Sequence, residues 1–131
     1  KALVLDTRKL EQMTREFEKQ PDAYLCFRLI GGYHTHGQHG KALSYGRKCI
    51  DELGSDNSEV GWYIRLNVAM LYAEEGRDRE ALENLRMAIK LDKKNMIEKM
   101  HMIQGTPELS AAYAIIEQER QQESSARKTQ P

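Results

Sequence analysis

The chain lacks an excess of either charge: twenty lysines and arginines balance twenty aspartates and glutamates. A neutral balance supplies no positive field to draw the molecule onto phosphate backbones or anionic lipid, which argues against nucleic acid and membrane surfaces as partners. It also lacks any apolar run near the roughly 20 residues that span a bilayer. The start "KALVLDTRKL" meets charge too soon for a signal-peptide core. A soluble chain is expected, with the cytoplasm as the default compartment. No phosphate-binding glycine motif, HExxH, CxxC or serine elbow is present, so neither an enzyme nor a cofactor is expected. Cysteine is limited to Cys26 and Cys49, both in apolar-periodic segments, and the pair reads equally as two buried thiols or one disulfide. A first residue Lys1 raises the expectation of a processed protein or a piece of a longer one.

What the chain does have is self-similarity. A length of 131 residues with 40% hydrophobic content fits one domain with a modest core. Laying "CFRLIGGYHTHGQHGKALSYGRKCI" over "RLNVAMLYAEEGRDREALENLRMAI" aligns Tyr33 with Tyr72, Gly37 with Gly76, Ala42 with Ala81 and Ile50 with Ile89 without a gap. In each copy an amphipathic segment runs to the tyrosine, a polar glycine turn follows, and a second amphipathic segment begins just before the alanine. Each copy reads as a helix-turn-helix hairpin.

These residues resemble the tetratricopeptide repeat, whose pattern places W-x-x-L-G-x-x-Y before A-x-x-x-F and a later alanine. The first copy supplies Cys26, Leu29, Ile30, Tyr33, Ala42, Gly46 and Cys49, and the second Arg65, Val68, Ala69, Tyr72, Ala81, Leu85 and Ala88. Residues 22–95 carry the resemblance, without the family's tryptophan and with Lys93 where proline is common. It implies an all-α, right-handed α-α superhelix, a solenoid of stacked hairpins with capping helices. Where the family pairs a glycine with a facing aromatic, the first copy has Ile30 and Gly46, so the large side chain has changed helix and interface volume is kept. The two alanines stand 39 residues apart rather than the family's about 34. The extra length falls in "GSDNSEVG", where Gly54 can end one helix and Asn57 or Ser58 can cap the next, longer one.

A two-hairpin stack needs covered ends. Residues 1–20 offer a capping helix with Leu10, Met13 and Phe17 on one stripe, Asp6 or Thr7 as cap and Pro21 as break. Residues 22–53 and 57–95 are the two repeats. Residues 96–121 read as a shortened hairpin, with Met96, Met100 and Met102 in its core and Thr106 and Pro107 opening its second helix. Residues 122–131, without apolar periodicity, read as a flexible tail.

His34, His36 and His39 crowd the first turn. They fall opposite Ala73, Glu75 and Asp78, which have no ligand character as a set, so the turn reads as polar residues around a permissive glycine, and no metal site is assigned. Glu74 and Glu75, adjacent on a helix end, are expected to point apart. The matched Tyr33 and Tyr72 read as hairpin packing, since structural roles repeat where active sites do not.

A stack of hairpins has no enclosed cavity for chemistry, and its working surface is the concave groove lined by the first helix of each hairpin. The function expected is non-enzymatic protein–protein interaction, with a peptide or protein segment in that groove. With Leu29, Ile30 and Tyr33 turned toward the hairpin partner, Tyr24, Phe27, Arg28 and Gly31 lie on the other face, joined by Tyr63, Leu66, Asn67 and Met70 from the second copy. His101 or Lys99 continues the row if the third hairpin keeps phase. The resemblance implies that Arg28 and Asn67 hold a carboxylate and a peptide main chain. The alternative from another class is a regulatory or sensory segment, or a self-assembling scaffold, within a larger signalling protein; a homo-oligomer is compatible with either.

Overall fold

The computed structural model describes residues 6–53, 59–91 and 96–129. Every regular element among them is helical, in chain order α1 (Thr7–Lys19), α2 (Ala23–Thr35), α3 (His39–Leu53), α4 (Glu59–Glu74), α5 (Asp78–Leu91), α6 (Met96–Gln104) and, after a 3-10 turn at Pro107–Leu109, α7 (Ser110–Thr129). No described helix is long and apolar enough to cross a membrane. The junction at 54–58, with Gly54, Asn57 and Ser58, and the one at 92–95, with Lys93, lie outside the described residues.

Local chemistry sets the helix starts. The Asp6 carboxylate accepts from the Lys9 amide at 2.8 Å and opens α1, and Asp22 does the same for Leu25 at 2.9 Å at the head of α2. Pro21 sits in the break between them, where it keeps Gln20 extended. Thr106 stands at the cap position of the 3-10 turn without a side-chain cap bond; its hydroxyl instead donates back to the Met102 carbonyl at 2.9 Å.

The two hairpins turn in the same way. Gly37 and Gly76 adopt positive φ of 74° and 76°. In the first turn the Gly37 amide donates to His34 O at 3.0 Å and Gln38 to Tyr33 O at 2.9 Å; in the second, Gly76 donates to Ala73 O at 3.0 Å and Arg77 to Tyr72 O at 2.9 Å. This is the bond pattern of a helix closed by a left-handed glycine. A side chain at either glycine would strain the turn, which is why the glycine recurs while its neighbours do not. Helix α4 is 16 residues against 13 for α2, as the wider spacing of the repeat anticipates.

Burial divides into two cores that share α4. The first gathers Leu10, Met13 and Phe17 of α1, Cys26, Leu29, Ile30 and Tyr33 of α2, and Ala42, Leu43 and Cys49 of α3 against Ile64, Val68, Leu71 and Tyr72. The second sets Trp62, Leu66 and Ala69 of the same helix against Leu85, Ala88, Ile103, Leu109, Ala112 and Ile116. Helix α4 is therefore apolar nearly all round, as a helix buried between two layers must be. Leu66, expected on the open face, is accordingly buried. In α6, Ile103 is buried and Met100 packs on the second core, but Met102 is exposed, which corrects the expectation that the methionines form one buried stripe. The final helix runs through "ESSARKT" with every side chain from 121 to 127 exposed; a helix that buries no face needs no apolar periodicity.

At the hairpin interface the large and small partners are exchanged between copies. Ile30 faces Gly46 in the first, and a Cβ on Gly46 would come within 2.6 Å of Val68 Cγ2; the corresponding pair in the second is Ala69 and Leu85, both fully buried. Cys26 and Cys49 are joined as a disulfide, their Cα atoms 6.2 Å apart, which decides between the two readings of the cysteine pair.

Candidate binding face

The residues expected to line a groove sit on α2 and α4, with His101 apart on α6, and an aromatic contact connects α2 and α4. Phe27 meets Tyr63 edge to face with ring centroids 5.1 Å apart, and Tyr63 lies 5.0 Å from Trp62, which anchors it to the second core. Phe27, Tyr63 and Met70 are half-buried, while Tyr24 is 60% exposed, far more than a ring of its size needs to be in a packed protein. The Arg28 guanidinium stacks 5.9 Å from the Tyr24 ring centroid and has no acidic partner among the described residues. Beside it, a Cβ on Gly31 would meet nothing within 4 Å, so space is open above this stretch of α2. Asn67 is half-buried and one of its amide hydrogens goes to the Tyr63 carbonyl of its own helix at 2.8 Å, leaving the oxygen and the second hydrogen for another partner. His101 is exposed near the end of α6, and the Lys99 side chain lies outside the description.

The turn histidines are engaged in a way the linear pattern did not suggest. His34 Nε2 lies 3.1 Å from both carboxylate oxygens of Glu74. His39 Nε2 lies 3.2 Å from Glu74 Oε2 and its Nδ1 3.2 Å from Glu75 Oε1. The two acids, expected to diverge, thus converge on His39, because the turn bends the chain between a helical Glu74 and a Glu75 outside the helix. Arg77 completes the array, with Nε 2.6 Å from Glu80 and a terminal nitrogen 3.7 Å from Glu75; the Glu80 hydrogen bond first, then the nearby acids, raise its pKa. The signal that would have found this cluster is charge complementarity between aligned turns, "HTHGQH" against "AEEGRD", once the hairpins are taken as neighbours. Among the described residues no three histidine, cysteine, aspartate or glutamate side chains are arranged to hold a metal ion.

A cleft of about 550 Å³ lies between α1 and α3. Its floor joins Thr14 to Tyr33, whose hydroxyls are 2.9 Å apart, and Tyr33 stacks on Tyr45 at 5.5 Å. Burial, foremost, raises the Tyr45 pKa, with Tyr33 and Glu18 adding to it and a Thr14 hydrogen bond opposing. Lys41 and Lys48 lie over the Tyr33 and Phe17 rings, which ties these cations to the packing of the hairpin. On α2, by contrast, a cation without an acidic partner among the described residues lies over an exposed ring.

Compared with known proteins, the chain matches no family, no curated protein sequence and no solved structure.

Proposed function

We propose that the chain is a non-enzymatic interaction module that takes a segment of another protein along the α2–α4 face, as the concave groove of a tetratricopeptide-like superhelix does. The observation that carries this reading is Arg28, a cation over the exposed Tyr24 ring with no acidic partner among the described residues, on the same helix as Phe27, whose ring meets Tyr63 of α4. Aromatic and arginine side chains gathered on one face supply apolar anchors and a fork that matches a carboxylate. The segment that fits has an extended main chain for Asn67 and an acidic side chain or free C-terminus for Arg28. A peptide library displayed with free C-termini and selected on the wild-type protein supplies ligands. Surface plasmon resonance on Arg28→Ala and Asn67→Ala should then show each weakened by roughly 1 to 3 kcal/mol with helical content and melting unchanged. Glu75→Ala, on the turn side, is the control. Groove variants that bind like wild type while the control fails would move the working surface to the turns and sink the reading.

A further inference from the structure

Cys26 lies in the middle of the α2 segment that carries Tyr24, Phe27 and Arg28, and its bond to Cys49 crosses to α3. We propose that this disulfide is a redox clasp that holds the α2 half of the binding face in place, an inference that rests on the reading of that face given above. Oxidised, it pins α2 against α3 and keeps Phe27 on Tyr63; reduced, it lets the first hairpin loosen and the face lose its shape.

Three observations point the same way. Cys26 and Cys49 are 0% and 1% exposed, so a reductant meets their sulfurs only when the hairpin opens, and the bond and the hairpin protect each other. The bond closes 23 residues that include the whole histidine turn, the one connection between α2 and α3. The surroundings have little slack: Leu29 and Ile30 are buried beside it, and Gly46, one turn before Cys49, has no room even for a Cβ against Val68. Two thiols are non-bonded atoms and need more room than two bonded sulfurs, so reduction must shift a side chain or part the helices. The second hairpin has Arg65 and Ala88 at the matching positions and no such constraint, which confines the effect to the α2 half.

The chemistry is thiol–disulfide exchange with a dithiol. Its thiolate attacks one cysteine sulfur, the bond between Cys26 and Cys49 breaks, and a mixed disulfide forms. The second thiol of the reductant then displaces the chain, closing its own disulfide. Two electrons and two protons pass to Cys26 and Cys49, which become thiols.

Hydrogen exchange on the full chain, with and without dithiothreitol, tests the clasp without a ligand. Amides of α2 and α3 should exchange at least tenfold faster after reduction, while those of α5 and α7 change less than twofold. Iodoacetamide under denaturing conditions should label neither cysteine before reduction and both after it. The double variant Cys26→Ala, Cys49→Ala should exchange like the reduced wild type and ignore dithiothreitol; should it fail to fold, the wild-type comparison still decides. Selected peptides should bind the reduced protein at least tenfold more weakly. Equal exchange in both redox states, two labels on untreated protein, or unchanged peptide affinity despite a loosened α2 would each overturn the proposal. Failure of the groove reading shows separately, as normal peptide binding by Arg28→Ala and Asn67→Ala.

Discussion

The two hairpins have the same turn bonds and the same glycine conformation, yet different groups cross from one helix to the other. In the first, a disulfide crosses where the second has Arg65 and Ala88. There the Arg65 side chain reaches Asn84 Oδ1 at 3.3 Å, while Asn84 in turn donates to Glu80 O at 2.9 Å. Burial lowers the Arg65 pKa, and Asp51 of the preceding helix works against that shift by favouring the charge. Shape at the hairpin interface is thus kept by volume and by backbone turns, while the chemistry that crosses it is free to change.

The largest expected effect tests whether the shared turn is also a shared core. Tyr33 and Tyr72 are each 6% exposed at the same place in their hairpins, so removing either ring should leave a comparable cavity. Tyr33→Ala and Tyr72→Ala should each cost about 3 to 5 kcal/mol in urea unfolding. Tyr33→Ala should lie at the upper end, because it also strips Thr14 of its hydroxyl partner and Tyr45 of its stacked ring. A tyrosine whose loss alters binding but not stability would break the equivalence of the two copies.

Next comes the cross-link itself. If the hairpins superimpose, the pair Arg65→Cys with Ala88→Cys should oxidise in place of the Arg65–Asn84 contact and stabilise the second hairpin by about 2 to 4 kcal/mol. Thiol titration of the oxidised protein should find no free cysteine. Two free thiols would mean that the second hairpin is splayed relative to the first. Smaller again is Gly46→Ala, which drives a Cβ to within 2.6 Å of Val68 Cγ2 and should cost about 1 to 3 kcal/mol, with Val68→Ala restoring part of it in the double variant.

The repeat was legible because periodicity, the turn glycines and the small alanines are local properties, and each is fixed by steric demands that the residues themselves carry. The exchange of Ile30 and Gly46 could also be read, since complementary volumes leave a trace at aligned positions. What could not be read were facts that need the second hairpin in space. Leu66 looked like a groove residue until α4 acquired a layer on its other side. Met102 looked like core because α6 is too short for its pattern to define one face. Nor could the Phe27–Tyr63 contact and the internal bond of Asn67 be read, which depend on how two helices meet and on which rotamer a side chain takes.

The smallest expected effect lies where the two turns meet. Glu74 is the acid that reaches both His34 and His39, and the three side chains are 26 to 36% exposed, so water screens the attraction and competes for its hydrogen bonds. Glu74→Gln keeps the shape and removes the charge; in buffer acidic enough to protonate the imidazoles it should cost no more than about 1 kcal/mol, a loss that shrinks as salt is added. A double-mutant cycle with His39→Gln isolates the coupling from any change in either turn alone, and the two losses should add to more than the double variant loses. Glu80→Gln, which breaks the hydrogen bond to Arg77 inside one turn, is the local comparison and should show no coupling to His39→Gln. A salt-independent loss of several kcal/mol for Glu74→Gln would instead mean that the turns are held by a desolvated charge pair, and that the hairpins are fastened to each other at the turn end as firmly as they are through α4.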